Sequence, residues 1–216
     1  MEFQEYLHTL RVWDVELPHF DPATAPAAPV PLFQEWLMHA GRAGQAEPHT
    51  MTLATVDGEG RPDVRTVMLH GADEHGWSFG SHATSAKGRQ LAAVPDAALG
   101  FYWPAVGRQV RVRGVVTPAP ADASLADLHA RSTGALAAAL VGHQSEVLGS
   151  LEELAVASEA AWVRAAAEAD AAVPGWRLYV LRPVEVEFFQ GDARRRHVRL
   201  RYTRTPSGWT HHLLWP

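Results

Sequence analysis

Alternation of apolar and polar residues marks the middle of this chain as strand-rich. From Gln109 to Val116, Gln109, Arg111 and Arg113 fall on one face and Val110 and Val112 on the other, the period-two signature of a half-buried strand. Met51–Val56 and Val64–Leu69 read as two strands around Asp57-Gly58-Glu59-Gly60, a hairpin turn. Trp77–Ser81 predicts a third strand and Ala97–Trp103 a buried one. Antiparallel strands on short turns predict a small barrel.

Helical signals flank this core. Pro31–Met38 predicts a helix with proline in its first turn, after a Pro/Ala linker over residues 21–31 that no helix interior would tolerate. A short helix starts near Lys87 and ends before Pro95. Residues 122–172 are helical, and Ser150-Leu151-Glu152-Glu153 predicts a capping box opening a long Ala-rich helix. Strand character returns at Arg177–Phe189, Arg199–Thr203 and Trp209–Leu214, the last two joined by a Thr-Pro-Ser-Gly turn. The order predicts an α+β fold, with residues 1–30 as extension and linker and residues 31–216 as one domain with a helical insertion at about 122–172.

Composition narrows the chemistry. The 216 residues are 47% hydrophobic with net charge −5, which argues against nucleic acid as main partner. Absence of cysteine excludes disulfides, thiolate metal sites and a thiol nucleophile. No run of 18 apolar residues occurs and the first residues do not resemble a signal peptide, so the expectation is a soluble, cytoplasmic protein with no membrane partner. Histidine is frequent, but the spacings fit no metal motif; His211 and His212, adjacent on a strand, face opposite ways.

Four segments carry more polar groups than packing requires: Arg65–His70, Ser85–Gln90, Arg108–Gly114 and Phe188–Arg199. Lys87 is the only lysine among nineteen Lys+Arg positions, and it stands at a helix start, where backbone N–H groups and a cation suit phosphate. Together the segments suit a ligand with an anionic end and a polar heteroaromatic ring. Taken singly, Lys87 reads as a solvated helix-start residue, Arg65 as a surface ion pair and Arg194–Arg196 as a solvated basic face.

In order and spacing, Arg65-x-Val67-x-Leu69, Ser85-x-Lys87-x-x-Gln90, Arg108-Gln109-Val110-x-Val112-x-Gly114, Gln144-Ser145 and the ending Gln190-Gly191…Arg195-x-His197-x-Arg199 resemble the pyridoxamine 5′-phosphate oxidase family of FMN-dependent flavoproteins, from about residue 30 onward. The resemblance implies a split β-barrel homodimer with FMN at the subunit interface. It implies that Arg65, Lys87 and Ser81 hold the FMN phosphate and that Thr66, Val67 and Met68 lie along the flavin. Gln109, Gln144, Ser145, Phe189 and Arg199 would complete the cofactor site. His70, Arg131, Arg195 and His197 would bind substrate, with Arg195 and His197 catalytic and His197 assisting proton removal. The implied reaction passes hydride from a substrate carbon to flavin N5, with molecular oxygen as acceptor.

Departures cluster on the substrate side. His70 replaces a lysine, Ala86 an arginine, Asp127 a tyrosine, Ala135 a serine, Phe189 a tryptophan and Val198 an aspartate. Asp127 sets negative charge where the resemblance places a substrate phosphate. The alternatives are therefore an FMN-dependent oxidoreductase of another substrate, such as a phenazine precursor, and a non-catalytic flavin or heme carrier.

Overall fold

The computed structural model describes residues 1–216. In chain order the elements are helices α1 (Phe3–Thr9) and α2 (Pro29–Arg42), strands β1 (Thr50–Val56), β2 (Pro62–Met68), β3 (Gly71–Asp73) and β4 (Gly76–His82), then helix α3 (Ala86–Ala93). Strands β5 (Asp96–Trp103) and β6 (Arg108–Pro118) lead into helices α4 (Ala121–His129), α5 (Thr133–Val141) and α6 (Leu151–Ala167). Strands β7 (Trp176–Gln190), β8 (Val198–Thr205) and β9 (Gly208–Leu214) close the chain. Hydrogen-bonded neighbours follow β2-β1-β5-β6-β7-β4-β3, with β8 on β7 and β9 on β8. The resolved registers, β3 on β4, β4 on β7, β7 on β8 and β8 on β9, are all antiparallel.

The chain forms two compact units. The first holds Met1–Thr52, Leu99–Val112 and Val184–Pro216; the second holds Leu53–Ala98 and Arg113–Pro183. The first unit is built on aromatic residues. Phe33 meets Phe101 with ring centroids 4.9 Å apart, Trp36 meets Phe188 at 5.2 Å, and Phe188 meets Tyr202 at 5.7 Å, each edge to face. All five are essentially inaccessible, and burying each such side chain contributes about 1.5–3 kcal/mol. Arg108 lies buried over the Trp36 ring at 4.1 Å and donates from Nε to Gln190 Oε1 at 2.9 Å. Burial lowers its pKa to about 10, with Glu35 opposing the shift.

The second unit packs small residues. Leu128, Leu136, Ala137, Ala139, Ala165, Ala171 and Val173 form its helical core. Alanine lets helices approach closely, and glycine does the same for strands: a Cβ on Gly114 would collide with the Arg182 carbonyl.

Several expectations need correction. Helix α2 begins at Pro29, so the end of the expected linker is its first turn; Pro29 and Pro31 lack N–H groups that this turn leaves unused. The stretch 122–172 is three helices. Ser132 caps α5, Gly142 ends it in the left-handed region (φ 79°), and Ser150 caps α6. Half of the expected capping box forms: Ser150 accepts from the Glu153 N–H at 3.1 Å, while the Glu153 carboxylate turns to the Gly149 N–H at 3.0 Å. Strand β3 and helix α1 lie outside what periodicity predicts, being too short to show it.

Candidate functional site

The residues singled out from sequence fall into two groups, one in each unit. In the second unit, β2 brings Arg65 against β1 and α3. Arg65 Nη1 donates to Thr55 Oγ1 at 2.5 Å and to the Leu53 carbonyl at 3.2 Å; Nη2 donates to Asp63 Oδ2 at 2.5 Å and Gln90 Oε1 at 2.9 Å. Gln90 Nε2 donates to Asp63 at 3.1 Å, and Thr55 donates to Gln90 Oε1 at 2.6 Å, closing the network. All four Nη hydrogens are therefore engaged, and the guanidinium is held in one orientation.

Lys87 stands in the first turn of α3. It is half-buried and makes no salt bridge; burial, then the neighbouring Arg65 charge, lowers its pKa, with Asp63 opposing. Ser85 caps the helix, donating to the His82 carbonyl at 2.8 Å and accepting from the Gly88 N–H at 3.2 Å; buried Ser81 lies 3.3 Å from its hydroxyl. Ser145 Oγ accepts from the Ala86 N–H at 3.1 Å. Two first-turn N–H groups are thus already satisfied, contrary to the expectation of free backbone donors at this helix start. Beside Ser145, Gln144 Nε2 donates to the Ala138 carbonyl at 3.1 Å, while its Oε1 is buried without a partner. Thr66 and Met68 are exposed and Val67 half-buried along β2.

Just past β2, His70 meets the helical insertion. Its Nδ1 lies 2.9 and 3.1 Å from the Asp127 carboxylate oxygens. Arg131, one turn along from Asp127, donates to the same carboxylate from Nε at 3.3 Å and Nη2 at 3.2 Å. The side chains are 7%, 15% and 28% exposed for His70, Asp127 and Arg131. Burial alone would raise the Asp127 pKa, but the His70 and Arg131 contacts outweigh it and hold the carboxyl below its usual range. Ala135 is half-buried on α5.

In the first unit, antiparallel register sets Phe189 opposite Arg199. Arg199 Nε donates to Glu187 Oε1 at 2.9 Å, and Nη1 donates to the Trp215 carbonyl at 2.9 Å. Glu187, buried, also takes Arg111. Gln109 is half-buried on β6. The loop between β7 and β8 is organised by Asp192, whose Oδ1 accepts from the Arg194 and Arg196 N–H groups at 2.8 and 3.1 Å. Arg195, exposed, adopts φ 63°, a left-handed conformation uncommon for arginine and held here by its N–H donating to the Asp192 carbonyl at 2.9 Å. His197 Nδ1 accepts from the Asp192 N–H at 3.1 Å, so the neutral ring carries its proton on Nε2. Trp13 meets His197 edge-on at 5.5 Å and Phe189 at 6.1 Å, and lies over Gly191, where any side chain would strike its ring. A cavity of about 790 Å³ opens here between residues 12–20 and 190–198.

Sequence reasoning missed Asp63 and Thr55 around Arg65, Glu187 beneath Arg199, and Trp13. Asp63 was findable, since residues two apart on a strand share a face with Arg65. Trp13 had no signal, because its segment lacks a period.

Comparison with known proteins identifies the family and the fold. The profile of the family described as "Pyridoxamine 5'-phosphate oxidase" matches residues 37–165, and that of the "Pyridoxine 5'-phosphate oxidase C-terminal dimerisation region" matches residues 176–216. The chain is 41% identical to the pyridoxine/pyridoxamine 5'-phosphate oxidase of Pseudomonas putida over 196 residues, covering 90% of this chain and 91% of that one. It is also 41% identical to the enzyme of the same name from Azotobacter vinelandii, over 200 residues with the same coverage. Among solved structures, PhzG from Burkholderia lata in complex with tetrahydrophenazine-1-carboxylic acid is 29% identical with a TM-score of 0.85, covering 93% of this chain and 99% of that one. The fold is the α+β antiparallel split barrel with helices, carrying a C-terminal dimerisation region. No helix is long and apolar enough to cross a membrane. The chain belongs to the pyridoxamine 5′-phosphate oxidase family, whose members use FMN.

Proposed function

We propose that this chain is an FMN-dependent oxidase of an amine or alcohol carbon on a pyridine ring, with pyridoxamine and pyridoxine 5′-phosphate as the reference substrates and molecular oxygen as acceptor. The observation that carries it is Lys87, a half-buried ammonium without an ion-pair partner, near enough to Arg65 to feel its charge and two residues beyond the capping Ser85, whose hydroxyl lies 3.3 Å from that of Ser81. Two neighbouring cations in a partly dry site suit a phosphate. Gln144 Oε1, a buried acceptor with no donor, suits a ring N–H beside them. The donor set therefore fits FMN: Lys87, with Arg65 and Ser81, for the phosphate; Gln144 and Ser145 for the ring. Arg65 keeps its orientation through Asp63 and Gln90, so it offers charge more than new hydrogen bonds.

Bound FMN supplies the two-electron acceptor, and oxygen takes the electrons to give hydrogen peroxide. An amine substrate would leave as aldehyde and ammonia with uptake of one water; an alcohol would leave as aldehyde. In the first unit, Arg195 and His197 offer donors to orient substrate. With Nδ1 accepting from Asp192, neutral His197 acts through Nε2–H as a hydrogen-bond donor rather than as a base. The match to a dimerisation region supports a homodimer as the working form.

Purified protein should be yellow, release FMN on denaturation as judged by mass spectrometry, and produce peroxide with pyridoxamine 5′-phosphate. Colourless protein that takes up no FMN on reconstitution would overturn the reading.

A further inference from the structure

We infer that Asp127 is a specificity-determining residue that occupies the site's second cationic corner with the chain's own carboxylate, so that the substrate gains little from carrying a phosphate. This rests on the oxidase reading above and names the substrate class for that site: ring amines and alcohols without a phosphate ester.

Strand β2 links two polar centres in the second unit. Arg65 lies within it and His70 just beyond its end, five residues on, roughly 16 Å at strand rise. The Arg65 end keeps a cation to spare, Lys87. The His70 end does not. His70 Nδ1 and two nitrogens of Arg131 all converge on Asp127, at 2.9–3.3 Å. The carboxylate is only 15% exposed, and both oxygens are engaged on both sides. His70 is fixed besides: its backbone N–H donates to the Ser78 carbonyl at 2.7 Å, and its Cε1 lies 2.6 Å from where a side chain on Gly80 would begin. The imidazole cannot swing towards Gly80 to serve another ligand, and Arg131 is tethered one helical turn from its partner.

FMN and a phosphorylated substrate together bring two phosphates. Of the two polar centres joined by β2, only the Arg65 end keeps a cation outside an ion pair, Lys87. A phosphate approaching Arg131 would have to displace Asp127 or sit against it, and like charges at a half-buried site oppose each other strongly. A neutral hydroxymethyl group meets no such opposition.

The test is anaerobic calorimetry on the FMN-loaded protein with pyridoxine and pyridoxine 5′-phosphate, alongside peroxide release from pyridoxamine and its 5′-phosphate. Neither phosphate ester should exceed its unphosphorylated partner by more than about threefold in affinity or kcat/KM. Asp127→Asn frees Arg131 and should tighten the phosphate ester by about tenfold or more while leaving the free alcohol within about twofold. Arg131→Ala should erase the gain in the Asp127→Asn background. A wild-type preference of about a hundredfold for the phosphate ester, with turnover, would overturn this inference and leave the oxidase reading standing. If the loaded protein neither binds nor oxidises any of the four compounds, both fail. The wild-type ratio decides the matter even if the Asn variant folds poorly.

Discussion

At the scale of single residues, position on an element matters more than residue type. Lys87 and Arg89 lie two apart in one helix. Lys87 is half-buried beside Arg65, whereas Arg89 is exposed and donates to the Thr84 carbonyl. Lys87→Ala should weaken FMN binding by about 1.5–3 kcal/mol, roughly tenfold or more, measured by flavin fluorescence titration. An unchanged Kd would return Lys87 to the role of a solvated side chain. The pH response follows from two carboxylates. Burial would raise the Glu187 pKa, but its bonds to Arg199 and Arg111 win and lower it; Asp127 is lowered in the same way by His70 and Arg131. A depressed folded-state pKa contributes stability above the unfolded value, near 4, and that stability is lost as pH falls through the folded values. Urea unfolding from pH 7 down to pH 3 should show this loss, and Glu187→Gln should be less stable by about 1–3 kcal/mol at pH 7 with a shallower acid limb. Lys87 and Gln144 could be singled out from sequence because their motifs are local. Apart from Asp63 on its own strand, the partners that fix Arg65 come from β1 and α3, which no spacing along the chain reveals.

At the scale of elements, β6 read almost fully from its alternation: Val110 and Val112 are buried while Arg111 and Arg113 are exposed. The helical insertion read less well, because alanine supports helix anywhere and does not mark where one helix stops. Caps mark it instead: Ser132, Gly142 and Ser150. Helix α3 offers a sharp test. Helix propensity alone says that Gly88→Ala should stabilise by about 1 kcal/mol. Packing says otherwise, since a Cβ there would collide with the carbonyl oxygens of His82 and Ala83. The variant should lose about 1–3 kcal/mol, lowering Tm by roughly 2–4 °C per kcal/mol, and should bind FMN more weakly because Lys87 rides on the displaced turn. A rise in Tm would show that the turn yields freely.

At the scale of the whole molecule, the apolar residues left in the open are informative. Leu213 is 62% exposed and Trp215 is 92% exposed, both within the region matched to a dimerisation profile. Apolar side chains placed together on a terminal strand and just beyond it suit a subunit contact. Sedimentation at micromolar concentration should find a dimer for the wild type and a monomer for Leu213→Asp. If that variant stays dimeric with FMN affinity intact, the contact lies elsewhere. Fold class was legible because strand and helix periods are strong over most of the chain. The division into two units was not, because it cuts across strands β1, β5, β6 and β7, and only tertiary packing draws that line.

A single lysine makes the proposed phosphate seat chemically addressable. An amine-acylating reagent will find one side chain to modify, at the start of α3, apart from the chain's amino terminus. The count of attached labels becomes a footprint of occupancy: full at Lys87 when the seat is open, suppressed when a phosphate covers it. A lysine-specific protease has the same single address, the bond between Lys87 and Gly88, and its cutting rate would report how often that turn of helix opens.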